Sequence, residues 1–112
     1  MGKIPDAAQA RFDQLVDQLG NDDGTTGPRR KGFGSHSMFV GRKMFALLGS
    51  DGALVVKLPP VRVAELIATG VGAPWHPGTG SPLKEYVAVG FDQQRKWPAL
   101  AKEARAFMAS KS

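Results

Sequence analysis

The sequence predicts an α+β domain: an antiparallel β-sheet with helices packed on one face, in the order helix, strands, helix, strand, helix. Three observations predict it. Both ends of the chain carry apolar residues at helical spacing, and the middle carries short apolar runs divided by an Asp-Gly turn signal. A single short helical segment then separates those runs from one further strand. One crossover of this kind cannot generate a doubly wound parallel sheet. The 112 residues suit one domain spanning 1–112, with an ordered core from about residue 6 to about residue 109.

The first helix is expected from Asp6 to Leu19, with Asp6 as its cap and Gly20 as its stop. Ala8, Phe12, Leu15, Val16 and Leu19 share one face, while Arg11, Asp13, Gln14, Asp17 and Gln18 fill the other. The polar run Asn21–Pro28 reads as a loop. Arg30–Gly34 reads as a short extended piece, bent where glycine interrupts it. Ser37–Val40, Lys43–Leu48 and Ala53–Leu58 read as strands, with Gly41-Arg42 and Asp51-Gly52 as the tight connections. In the last of these strands Leu54, Val56 and Leu58 share one face, and Val55 and Lys57 the other.

Pro59-Pro60 ends that strand and prepares a helix over Arg62–Thr69, with Val63, Leu66 and Ile67 inward and Gly70 as its stop. Val71–Pro82 reads as a surface loop, punctuated by Gly72, Pro74, Pro77, Gly78 and Gly80. Lys84–Val89 alternates as a strand, with Val87 and Val89 on one face. Asp92–Lys96 reads as a polar connection. The last helix is expected over Trp97–Ala109, with Pro98 in its first turn and Trp97, Leu100, Ala104, Phe107 and Met108 as its apolar stripe.

Composition narrows the function classes. The chain has no cysteine, which excludes disulfide frameworks, thiol catalysis, thiolate zinc sites and iron–sulfur clusters. Met1–Ala10 carries Lys3, Pro5 and Asp6 and is followed by no apolar run, so no signal peptide is expected. The apolar stretches, such as Ala53–Val56, are too short to span a bilayer. A cytoplasmic location without membrane contact is the resulting expectation.

The net charge is +5, and it is confined. Gly24–Ser50 holds five bases, Arg29, Arg30, Lys31, Arg42 and Lys43, and no acid; the rest of the chain holds ten bases and ten acids. One 27-residue window, which also contains His36, therefore carries the whole excess. Such a hairpin either discourages edge-to-edge aggregation or contacts an anionic partner, nucleic acid or an acidic protein. Five bases engage only a few phosphates, so binding through them is expected to be weak and salt-sensitive.

No grouping of residues makes a persuasive catalytic set. Gly32-x-Gly34-x-x-Ser37 lacks the third glycine of a dinucleotide fingerprint and leads toward a strand rather than a helix. Neither a Walker-type phosphate loop nor a Gly-x-Ser-x-Gly elbow occurs. His36 lies between Ser35 and Ser37, but neighbours in a strand point to opposite faces and do not form a nucleophile–base pair. Asp22-Asp23 lacks the ligand spacing of a calcium loop. No metal or cofactor is implied.

A second group of candidates lies further on. Trp75 and His76 stand in the rigid loop Pro74-Trp75-His76-Pro77, where Trp75 either caps the core edge or offers a stacking platform. Lys57 either faces solvent from an apolar strand or meets a partner or an acid, with Glu85 the acid expected. Lys57 and Lys84 are candidate cations for an acidic ligand bound near Trp75 and His76.

Taken in series, these segments resemble a known family. Met38-Phe39-Val40-Gly41-Arg42-Lys43-Met44-Phe45-Ala46-Leu47 is followed by Asp51-Gly52-Ala53-Leu54-Val55-Val56-Lys57-Leu58-Pro59. Arg62-Val63-Ala64-Glu65-Leu66, Trp75-His76-Pro77, Lys84-Glu85-Tyr86-Val87 and Trp97-x-x-Leu100-Ala101-x-Glu103-Ala104 complete the series. It resembles the N-terminal domain of the TfoX/Sxy family, which includes bacterial competence regulators, over roughly Phe12–Met108. The chain departs from the family where Gly32-Phe33-Gly34-Ser35 stands in place of the usual Met-Phe-Gly-Gly. Full-length competence regulators of the family also carry a C-terminal domain, so the resemblance is to a stand-alone short form.

The resemblance implies an α+β domain and supplies no catalytic residues. The leading expectation is thus a non-enzymatic regulatory domain that contacts a transcription-associated protein or nucleic acid through the basic hairpin. A small acidic-ligand or enzymatic site near Trp75 and His76 is the alternative, and a homodimer paired through sheet edges or apolar faces is a third expectation.

Overall fold

The computed structural model describes residues 5–20, 37–40, 43–49, 51–76 and 83–110. In chain order its elements are α1 (Asp6–Gly20), β1 (Ser37–Val40), β2 (Lys43–Leu48), β3 (Leu54–Lys57), α2 (Pro60–Ala68), β4 (Ala73–Pro74), β5 (Tyr86–Val89), a 3-10 helix (Phe91–Lys96) and α3 (Trp97–Ala109). The strands form one antiparallel sheet in the order β1-β2-β3-β5-β4. This is the α+β architecture that the sequence predicts.

The core lies between the sheet and the helices. Met38, Ala46, Leu48, Leu54, Val56, Val87 and Val89 from the strands join one buried cluster with Ala8, Phe12, Leu15 and Leu19 of α1, Val63 and Leu66 of α2, and Trp97, Leu100, Ala101, Ala104 and Met108 of α3. Val16, Ile67 and Phe107 pack against it half-buried. The helical stripes in the sequence are therefore the buried faces, and their removal from water is the main force holding helices to sheet. Val55 points the other way from Leu54 and Val56, yet it is also buried, between its cross-strand partners Leu47 and Ala88. No helix among the described residues is long and apolar enough to cross a membrane.

Local chemistry sets the turns. At the β2–β3 turn the Gly52 N–H donates to the Gly49 carbonyl at 2.9 Å, and the Gly49 N–H donates to the Ala53 carbonyl at 2.8 Å. Asp51 Oδ1 accepts from the Ala53 N–H at 3.1 Å. Gly52 has φ +89°, a conformation that costs glycine nothing and other residues about 1 kcal/mol. Asp6 is the first helical residue of α1 rather than the residue before it: the Gln9 N–H donates to the Pro5 carbonyl at 3.0 Å. Its carboxylate still favours the positive end of the helix dipole.

Besides the shortening of the Lys84–Val89 strand to Tyr86–Val89, three segments differ from expectation. Ala73-Pro74, expected to be loop, adds a two-residue edge strand to β5. Proline is tolerated there because an edge strand can spare an N–H. Asp92–Lys96, expected to be a polar connection, is wound into the 3-10 helix that leads into α3. In β2 the pairing moves from Met38↔Ala46 to Phe39↔Met44, leaving Phe45 as an extra residue. Such a bulge re-aims a side chain, and Phe45 and Ala46, although adjacent, both enter the core.

An ion-pair network ties α2 to α3. Arg62 Nε donates to Glu103 Oε2 at 2.8 Å, Nη2 donates to Glu103 Oε1 at 3.3 Å, and Nη1 meets Glu65 Oε1 at 3.1 Å. The hydrogen bonds to Glu103 and then Glu65 raise the already high pKa of the guanidinium. All three groups are partly open to water, so Arg62→Ala is expected to lower stability by less than about 1 kcal/mol in urea titration.

Candidate functional site

The sequence candidates form two groups, and only the second lies wholly within the described residues. Arg29, Arg30, Lys31, His36 and Arg42 lie outside the described residues, as do Asp22 and Asp23. Lys43, the remaining member of the basic set, begins β2 and is half-buried, paired with Val40. Among the described strands β1 is outermost, and it pairs with β2 as the described part of the charged window.

The second group converges more closely. Lys57 ends β3 and pairs across the sheet with Tyr86 at the start of β5. Its ammonium lies 5.4 Å from the Tyr86 ring centroid and 3.8 Å from Glu85 Oε1. Trp75 packs against Tyr86, with 5.3 Å between ring centroids and a tilt of 39°. Of the readings the sequence offers for Lys57, the structure shows the ion pair with Glu85 rather than a lysine simply facing solvent, although Glu85 stands in the turn before β5 and not in the strand. Lys57 thus spends its charge inside the protein, on a carboxylate and an aromatic face. Trp75 is half-buried and His76 exposed.

Beside this cluster runs an apolar groove of about 380 Å³. Val63, Ala64 and Ile67 of α2 form one wall, with Pro60 at its end. Pro74 of β4, Leu83, Lys84 and Tyr86 form the other. Backbone hydrogen bonds fix the second wall: the Leu83 N–H donates to the Trp75 carbonyl at 2.9 Å, the Tyr86 N–H to the Leu83 carbonyl at 3.2 Å, and the Leu58 N–H to the Glu85 carbonyl at 2.9 Å. Lys84 is therefore carried on a turn pinned on both sides.

Sequence reasoning found Lys84 but assigned Val63 and Ile67 only to the core, and did not single out Pro60, Ala64, Pro74 or Leu83. Ile67 is half-buried and Leu83 is 40% exposed, which is the signal of an apolar surface left partly open. Among the described residues no group of three or more His, Cys, Asp or Glu side chains is placed to hold a metal ion. Comparison with models of protein families, with curated proteins and with solved structures finds no match.

Proposed function

We propose that the chain is a non-enzymatic regulatory or interaction domain of the TfoX/Sxy N-terminal kind, whose basic hairpin contacts an anionic partner: nucleic acid or a transcription-associated protein. The observation that carries this reading is the confinement of charge. All of the +5 excess lies in residues 24–50, and the described strands of that window, β1 and β2, pair with each other, β1 being the outermost of the described strands on that side. Five bases and no acid in one short stretch of an otherwise neutral chain concentrate positive potential there, and this favours contact with an anion. The non-enzymatic part of the reading rests on the sequence, which contains no nucleophile–base pair, phosphate loop or metal-ligand motif.

The test is a titration with duplex and single-stranded DNA at two salt concentrations, for the natural chain and for a variant with Arg29, Arg30, Arg42 and Lys43 all changed to Glu. Five bases limit the salt dependence, so affinity is expected to fall by roughly 500-fold or less between about 50 and 200 mM salt. The variant is expected to keep its fold and lose binding. No binding of the natural chain at low salt would remove the nucleic-acid version, and equal binding by the variant would remove the hairpin.

A further inference from the structure

We infer that the groove between α2 and the turn at Leu83–Tyr86 binds a small molecule with an apolar body and a single anionic group, such as an arylalkyl carboxylate, with Lys84 as its counter-ion. This site is separate from the basic hairpin and does not depend on the reading given to it. Size is the first argument: about 380 Å³ lies within the range of small-ligand sites and holds a body of about a dozen heavy atoms.

The lining is the second. Pro60, Val63, Ala64, Ile67, Pro74, Leu83 and Tyr86 offer apolar surface, and Lys84 is the one ionised side chain among them. A surface of that kind desolvates a hydrocarbon body while a single cation at its margin orients one anionic end.

The neighbouring cations are already engaged, Lys57 with Glu85 and Arg62 with Glu65 and Glu103. Among the described residues no acid is paired with Lys84, which is exposed. The electrostatic complement of the groove is therefore one negative charge. The hydrogen bonds that hold Leu83 and Tyr86 fix the turn on both sides of Lys84, so little backbone freedom is lost when the anion arrives.

The experiment uses three probes of equal length that differ only in their head group: 4-phenylbutyrate, 4-phenylbutanol and 4-phenylbutylamine. Binding is followed by calorimetric titration and by perturbation of backbone amide signals. The acid is expected to bind with a Kd of roughly 0.1–1 mM, as suits so small a ligand, and the amine about tenfold or more weakly. Shifts should centre on residues 60–67 and 83–86. Lys84→Glu is expected to reverse the order of acid and amine. Ala64→Trp, which fills the groove from an exposed helical position, is expected to weaken all three probes, with circular dichroism confirming the fold. Equal binding of acid and amine, an order unmoved by Lys84→Glu, shifts centred elsewhere, or no binding of any probe up to about 10 mM would each overturn the proposal.

Discussion

Replacing Trp97 by Ala is expected to lower stability by about 3–5 kcal/mol, with a drop in Tm on the order of 10–20 °C. Trp97 opens α3, is fully buried, and meets Phe91 edge-on with 6.0 Å between ring centroids. Its indole N–H donates to the carbonyls of Val89 at 3.1 Å and Gly90 at 3.2 Å, just where β5 gives way to the 3-10 helix. One side chain thus fills the core and also holds the junction between the sheet and the last helix. Trp97→Phe separates these roles, because it retains most of the ring and loses the donor. It is expected to cost about 1–2 kcal/mol. A Phe variant as unstable as the Ala variant in urea titration would show that the hydrogen bonds, and not the ring, hold this corner.

Gly72→Ala is expected to cost about 1–3 kcal/mol, although it adds a single methyl group. A Cβ at Gly72 would lie 2.4 Å from Val87 Cγ2, 3.3 Å from the Ala88 carbonyl oxygen and 3.6 Å from Leu66 Cβ. Val87 is buried in β5 and stiff at χ1, so it cannot swing aside as a surface side chain would. Relief comes only by moving Ala73 and Pro74 away from β5, which opens one wall of the groove. Gly70→Ala, two residues earlier, meets no atom within 4 Å, and its strain comes from φ +82° alone, about 1 kcal/mol. The two mechanisms separate in a double-mutant cycle. Val87→Ala should recover part of the Gly72→Ala cost and none of the Gly70→Ala cost. Equal recovery at both positions would refute the clash.

What the sequence reveals, and what it hides, follows from how each element is encoded. α1, α3 and the β2–β3 turn are legible because their signals are local: an apolar stripe of period 3.6, Pro98 at a helix start, Asp51-Gly52 between alternating runs. β4 is illegible because Ala73 and Pro74 are both exposed and carry no alternation; only their pairing with Val87 and Ala88 makes them a strand. The Phe45 bulge breaks the period-2 rule at a single residue, and only the partner strand reveals it. The site divides in the same way. Alternation along β3 sets Lys57 apart, but whether it faces solvent or meets Glu85 is decided only by the pairing of β3 with β5. The groove needs two segments about twenty residues apart in the chain, α2 and the turn at Leu83–Tyr86, and no local pattern records that they face each other.

The two ends of the sheet also differ in how they meet another strand. β4 is only two residues long, and one of them is Pro74, which has no N–H to offer. Among the described strands, growth by strand addition is therefore disfavoured at β4 and left to β1. A fibre needs two productive edges, so that each newcomer presents a template to the next. A sheet with one productive edge closes after a single pairing, so the short proline strand works against fibre growth through the described strands.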